Sequence, residues 1–129
     1  TVEVTMAIGQ KQYEMEGESV SRHLAKFKKE TGKEAYCLFV APTINEACIA
    51  HFYGLHNLNI SYYGGKSVIV PLPLNVFKKM LEDSFKASYT PNPQQVKSFF
   101  EYSKSIASES HSEQEWYNKI VEKALNWLE

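Results

Sequence analysis

Residues 35–41, AYCLFVA, form an unbroken apolar run. A strand with one wet face alternates apolar and polar residues. A continuous run belongs to a strand covered on both faces, as in sheets flanked by helices. Upstream, VEVTMAIGQ at 2–10 reads as a second strand. Val2, Val4, Met6 and Ile8 alternate with Glu3, Thr5 and Ala7 until Gly9 breaks the run. Between the two strands, Val20, Leu24 and Phe27 make a helical stripe that Gly32 stops. Tyr13 extends this stripe backwards if the helix is unbroken, whereas Gly17 offers a break with Ser19 as the N-cap. Strand, helix and buried strand make a βαβ unit, so the two strands are expected to run parallel. The fold class is α/β.

The remainder of the chain supports that class. Pro42 ends the buried strand and Thr43 is a candidate N-cap. Ile44, Ala47, Cys48, Phe52 and Leu55 then form a helical stripe. His51 and His56 are too far apart for a compact metal pair and read as a core-edge and a surface histidine. Gly64-Gly65 marks a turn without the spacing of a phosphate loop. Residues 67–72, SVIVPL, form a third strand. A helix from Leu74 to about Lys86 should turn Leu74, Val76, Phe77, Met80, Leu81 and Phe85 inward. Lys78, Lys79, Glu82, Asp83 and Lys86 face out, which puts the single aspartate on the surface. YTPNP at 89–93 is a hinge before a helix over 94–107 that carries Val96, Phe99, Phe100, Ile106 and Ala107 on one side. A polar connector at 108–113 leads to a last helix over about 113–128. The apolar arc of that helix is wider than the roughly 100° a surface helix typically buries. Either the 94–107 helix covers the arc, or its edge with Trp116 and Trp127 faces a partner and leaves an indole exposed.

Composition narrows the function classes. At 129 residues the chain is one domain with room for a core, and 43% hydrophobic content excludes disorder. A net charge of -1 leaves no global basic signature for nucleic acid, so such binding needs a local patch. Arg22, Lys26, Lys28 and Lys29 supply one. Cys37 and Cys48 sit in apolar surroundings, as reduced thiols of an intracellular protein do. No signal peptide is visible and no apolar run is long enough to span a bilayer, and the expected localisation is cytoplasmic. The chain opens with Thr1 directly into a strand, and it is expected to be a piece of something longer.

Glu3 is the chemically distinctive residue of the first strand. A carboxylate in an apolar strand is costly unless it meets water, is paired or binds a metal. Thr5, two residues on, shares its strand face. In a continuous helix, Gln12, Glu16 and His23 line one border of the apolar stripe, near the end of this strand.

Three blocks in order, VEVTMAIGQKQYEMEGESVSRHL, AYCLFVAPTINEACIAHFYG and GKSVIVPLPLNVFKKML, cover roughly the first two thirds of the chain. They resemble the AlwI-like type IIS restriction endonucleases and, more distantly, the FokI cleavage domain, within the PD-(D/E)XK nuclease superfamily. The resemblance implies a restriction-endonuclease-like mixed sheet with a βαβ crossover and extra C-terminal helices. Residues 1–129 would be the C-terminal part of a cleavage domain, with a core at 1–87 and a helical extension at 88–129. The implied activity is Mg2+-dependent hydrolysis of DNA phosphodiester bonds, one strand per active site, within restriction-modification. By resemblance Glu3 is the second metal-binding carboxylate and Val4 lends its backbone carbonyl to the metal. Thr5 stands where the superfamily has a lysine, a departure that removes a cation from the site; Lys11 is a candidate substitute. Glu16 or Gln12 fits the acidic or amide helper. The first aspartate of the motif is expected upstream of Thr1. The implied partners are double-stranded DNA and a second subunit or recognition domain, with no membrane. The competing reading is a non-catalytic α/β interaction module or subunit.

Overall fold

Three parallel strands organise the chain: β1 (Val2–Val4), β2 (Tyr36–Ala41) and β3 (Val68–Pro73), in the order β1-β2-β3. Val2 pairs with Leu38 and Val4 with Val40, while Tyr36 pairs with Val68 and Ala41 with Pro73. This computed structural model describes residues 2–86 and 93–127, and at Val2 and Glu3 the backbone alone. The expected parallel βαβ unit is present, and the fold class is α/β. Where the resemblance implies a mixed sheet, the described strands are parallel throughout, and antiparallel pairing is confined to an isolated bridge between Ile60 and Gly65 outside them. Pro71 and Pro73 lack the N–H that a second neighbour of β3 would need, which suits a strand at the edge of the described sheet.

The first helical segment is unbroken where sequence allowed a break. Short helix α1 (Gln10–Gln12) passes through a π-turn at Tyr13–Gly17 into α2 (Glu18–Thr31), so Ser19 lies inside the helix and caps nothing. Gly32 closes α2 in the left-handed conformation, as expected. After β2, α3 (Glu46–Asn57) begins two residues later than the Thr43 cap implied, because Asn45 accepts the Ala47 N–H at 2.8 Å. A 3-10 turn at Ser61–Tyr63 leads through Gly64 and Gly65, both at positive φ, to β3.

Helix α4 (Leu74–Lys86) buries Val76 and Met80, but Leu81 and Phe85 are exposed. The expected inward face is therefore narrower than its hydrophobic residues. Asp83 lies on the outer side, paired with Lys79 at 2.7 Å. Of the expected hinge only Pro93 is described, as the first residue of α5 (Pro93–Glu109); the remainder lies outside the described residues. Helix α6 (Glu113–Leu125) starts at Ser112, whose hydroxyl accepts the Glu115 N–H at 3.2 Å.

The core gathers β2 and β3 under α3, α4, α5 and α6. Phe39 meets Phe52 at 5.1 Å between ring centres. Trp116 is fully buried and donates its indole N–H to the Ser103 carbonyl at 3.1 Å. Trp127 is half-buried and donates to the Met80 carbonyl at 3.3 Å. Helices α3, α4 and α5 pack against the wide apolar arc of α6 and enclose Trp116, whereas Trp127 at its edge keeps part of its surface open. His56, expected at the surface, is instead buried. It bonds the Phe52 carbonyl at 2.9 Å and the Ser103 hydroxyl at 3.2 Å, and packs edge-on to Trp116. Among the described residues, no helix is long and apolar enough to cross a membrane.

Candidate active site

The end of β1 positions the candidate residues. Glu3 pairs in the backbone with Phe39, and Thr5 extends the pairing by donating its N–H to the Val40 carbonyl at 3.0 Å. Ladder pairing stops there. The Thr5 hydroxyl oxygen accepts the Ala7 N–H at 3.1 Å, which turns the chain off the sheet. Gly9 then takes φ 63 and ψ -151, a backbone conformation open to glycine, and α1 follows. The alternation of residues 4–8 is real, but its apolar row faces outward. Val4, Met6 and Ile8 are 61%, 72% and 60% exposed, whereas Thr5 and Ala7 are half-buried.

Gln12 explains why Thr5 and Ala7 face in. It is fully buried, and both of its amide protons are committed. Nε2 donates to the Ala7 carbonyl at 3.0 Å and to the Thr43 carbonyl at 2.7 Å, while Oε1 accepts the Asn45 N–H at 2.7 Å. One side chain thus clasps the loop leaving β1 to the loop leaving β2. A buried amide with its donors used in this way is fully satisfied. In this geometry Gln12 holds the loops and has no proton left to give a substrate.

Glu16 lies in the π-turn, half-buried, and its carboxylate makes no hydrogen bond or ion pair among the described residues. A Cβ on Gly17 would press on a Tyr13 ring carbon of the same helical segment at 3.2 Å and reach the Cys48 sulfur of α3 at an ordinary 3.5 Å. Ser21 donates its hydroxyl to the Gly17 carbonyl at 3.1 Å, and His51 Nε2 lies 2.9 Å from the Ser21 oxygen. With the serine proton spent, the imidazole is the donor. Burial lowers the His51 pKa, opposed by the Glu18 carboxylate, and so favours that neutral form. A fully buried serine with a committed proton is no nucleophile, so this Ser–His pair is structural. Cys48 is likewise inert, its thiol pushed up to about 11 by burial.

The π-turn also splits the row in which sequence placed Gln12, Glu16 and His23. Gln12 is interior, Glu16 half-buried and His23 exposed, because the wider turn rotates the residues beyond it about the helix axis. Lys11 is exposed on the last turn of α1. Sequence reasoning missed the partners of Gln12. Thr43 and Asn45 lie more than thirty residues away, and no local pattern announces such a clasp.

The donor types at the end of β1, one carboxylate and backbone carbonyls, are the hard oxygen ligands that Mg2+ takes. Among the described residues no three His, Cys, Asp or Glu side chains gather into a metal site. The described residues therefore do not make up a complete coordination sphere.

The fold is restriction-endonuclease-like. The family model of the AlwI restriction endonuclease matches residues 1–80, more than half of the chain, and the chain belongs to that family. Among solved structures it is similar to the small subunit of the heterodimeric restriction endonuclease R.BspD6I, with 27% identity and a TM-score of 0.67. The likeness covers 98% of this chain and 57% of that one, so the chain spans little more than half the length of that subunit. No curated protein matches the chain.

Proposed function

We propose that the chain is part of the cleavage domain of a Mg2+-dependent, type IIS DNA endonuclease that hydrolyses one strand per active site. The observation that carries this reading is the family match over residues 1–80, which contains Glu3, Thr5, Gln12 and Glu16 on contiguous elements. In this reading Glu3 and the Val4 carbonyl hold Mg2+. The bound ion would polarise a phosphoryl oxygen and acidify a water. Thr5 already uses its oxygen as an acceptor from Ala7, and its hydroxyl proton has no acceptor among the described residues, so it can be offered to a phosphate oxygen or a water. Gln12 is a positioning residue that holds the Thr5–Ala7 turn in place. Glu16 is the acidic helper. In this reading a further carboxylate completes the metal site.

The solved relative is one subunit of a heterodimer. By analogy, this protein acts with a second subunit or recognition domain on double-stranded DNA. The test is nicking of supercoiled plasmid by the full-length protein with its partner in Mg2+. Glu3→Gln should lower nicking on the order of a hundredfold or more, and Glu16→Gln roughly tenfold, with both variants folded. Full activity of Glu3→Gln would sink the assignment.

A second reading, a non-catalytic subunit, is favoured by threonine at position 5. It predicts no Glu3-dependent Mn2+ binding by titration calorimetry, where the nuclease reading expects a site that Glu3→Gln removes.

A further inference from the structure

The chain as a whole is slightly acidic, yet its positive charge is concentrated. Five of its fourteen Lys and Arg residues, and one of its fifteen Asp and Glu residues, fall in residues 22–33. Arg22 and Lys26 are matched within their own helix, by Glu18 at 2.9 Å and Glu30 at 3.9 Å. The lysines beyond them are not. Lys28 donates its ammonium to the Lys66 carbonyl at 2.8 Å, and Lys29 to the Tyr62 carbonyl at 3.1 Å. Carbonyls hold these ammonium groups in place without cancelling their charge. Neither has an acidic partner within ion-pair distance among the described residues, nor do Lys33 and Lys66.

Lys28, Lys29 and Lys33 line one open cleft of about 360 Å³ between the end of α2 and the turn before β3, together with Gly32 and Gly64, and Lys66 is joined to it through the carbonyl that holds Lys28. Glu34 also lines it, but its carboxylate is drawn to Lys104 at 3.3 Å. Tyr62, beside the tether of Lys29, is 64% exposed. Lysines at a helix C-terminus also offset the helix dipole, and that role accounts for Lys28 and Lys29. It does not account for Lys33 past the cap or Lys66 on another segment.

We propose that Lys28, Lys29, Lys33 and Lys66 form a contact for the phosphate backbone of duplex DNA, separate from the Glu3 end of the protein. The choice of DNA as the polyanion rests on the nuclease reading. Along the helix, Lys29 lies about 25 Å from Gln12. Contacts of this kind position the duplex and carry no sequence information. Each phosphate neutralised releases counterions, which lowers the slope of log K against log salt by about 0.9.

The experiment measures the affinity of the protein for a thirty-base-pair duplex by fluorescence anisotropy, over roughly 50 to 200 mM salt. Lys28→Gln/Lys29→Gln/Lys33→Gln/Lys66→Gln should flatten the salt slope by about 2–4. Lys33→Gln/Lys66→Gln, which breaks no tether, should flatten it by about 1–2 with an unchanged melting temperature. An unchanged slope in both variants overturns the proposal. So does a variant that binds DNA normally but no longer associates with the second subunit in sedimentation. If Glu3→Gln cuts normally while the lysine variants lose slope, the nuclease site fails and this contact stands. If Glu3→Gln is inactive and the slopes are unchanged, this contact alone fails.

Discussion

Val4 and Val40 are register partners on neighbouring parallel strands, yet Val4 is 61% exposed and Val40 is fully buried. The residue type is the same and the backbone pairing is the same. What differs is cover among the described residues: β2 and β3 lie in the core under helices, whereas β1 is at the edge of the described sheet and its loop is pulled in by Gln12 on its less apolar side. Hydrophobicity sets what a residue gains if it is covered; neighbouring elements decide whether it is.

The largest test of that contrast removes a ring from the covered strand. Phe39→Ala should cost about 3–5 kcal/mol in urea unfolding, whereas Val4→Ala should cost less than about 0.5 kcal/mol. A Val4 penalty approaching that of Phe39 would mean that β1 is covered in solution.

Gln12 is the next lever, because it ties the exposed strand to the buried one. Gln12→Leu leaves two carbonyls and the Asn45 N–H unpaired and should cost about 2–4 kcal/mol. Amide exchange at Asn45 should accelerate with it. Unchanged protection there would show that the clasp does not hold the two loops together.

The covered side should also carry an acid sensitivity that the exposed side lacks. Burial pushes His56 down to about 4 from an ordinary 6.5, helped by the Lys104 charge and opposed by the bond to the Phe52 carbonyl. Above pH 6.5 the ring is neutral in both folded and unfolded chains, and its full contribution is present. As pH falls from 6.5 towards 4, the unfolded chain takes up a proton that the folded chain refuses, and stability drops by up to about 3 kcal/mol. Below about 4 both states are protonated and this loss ends. His56→Gln should flatten the slope of stability in that window; a variant with the same slope would place the acid sensitivity elsewhere.

The smallest effect is local. Ser112→Ala removes the cap of α6 and should cost about 1 kcal/mol, read as a lower urea midpoint with an unchanged slope.

Much of the architecture was legible before any tertiary contact was known. The unbroken run at 35–41, the stripe ending at Gly32 and the run before Leu74 led to three strands, the parallel sense of the first two and the helix order. The site was legible only as a set of residue types. Glu3, Thr5, Gln12 and Glu16 stood out as polar groups near one strand end, but their separate environments did not. The apolar row of residues 4–8 was visible too, while its outward direction was not, since period-two alternation is the same whichever face is covered.

The sequence by itself determined the elements, because propensity, capping and periodicity act over a few residues. Only the tertiary structure decided which groups are committed. It spent both protons of Gln12 on carbonyls of separate loops, buried His56 against Trp116, and tied Lys28 to the Lys66 carbonyl and Lys29 to the Tyr62 carbonyl with no acid to match them among the described residues. Each of these depends on atoms brought together from distant segments, and a hydrogen bond or a buried charge is settled by such distances rather than by spacing along the chain.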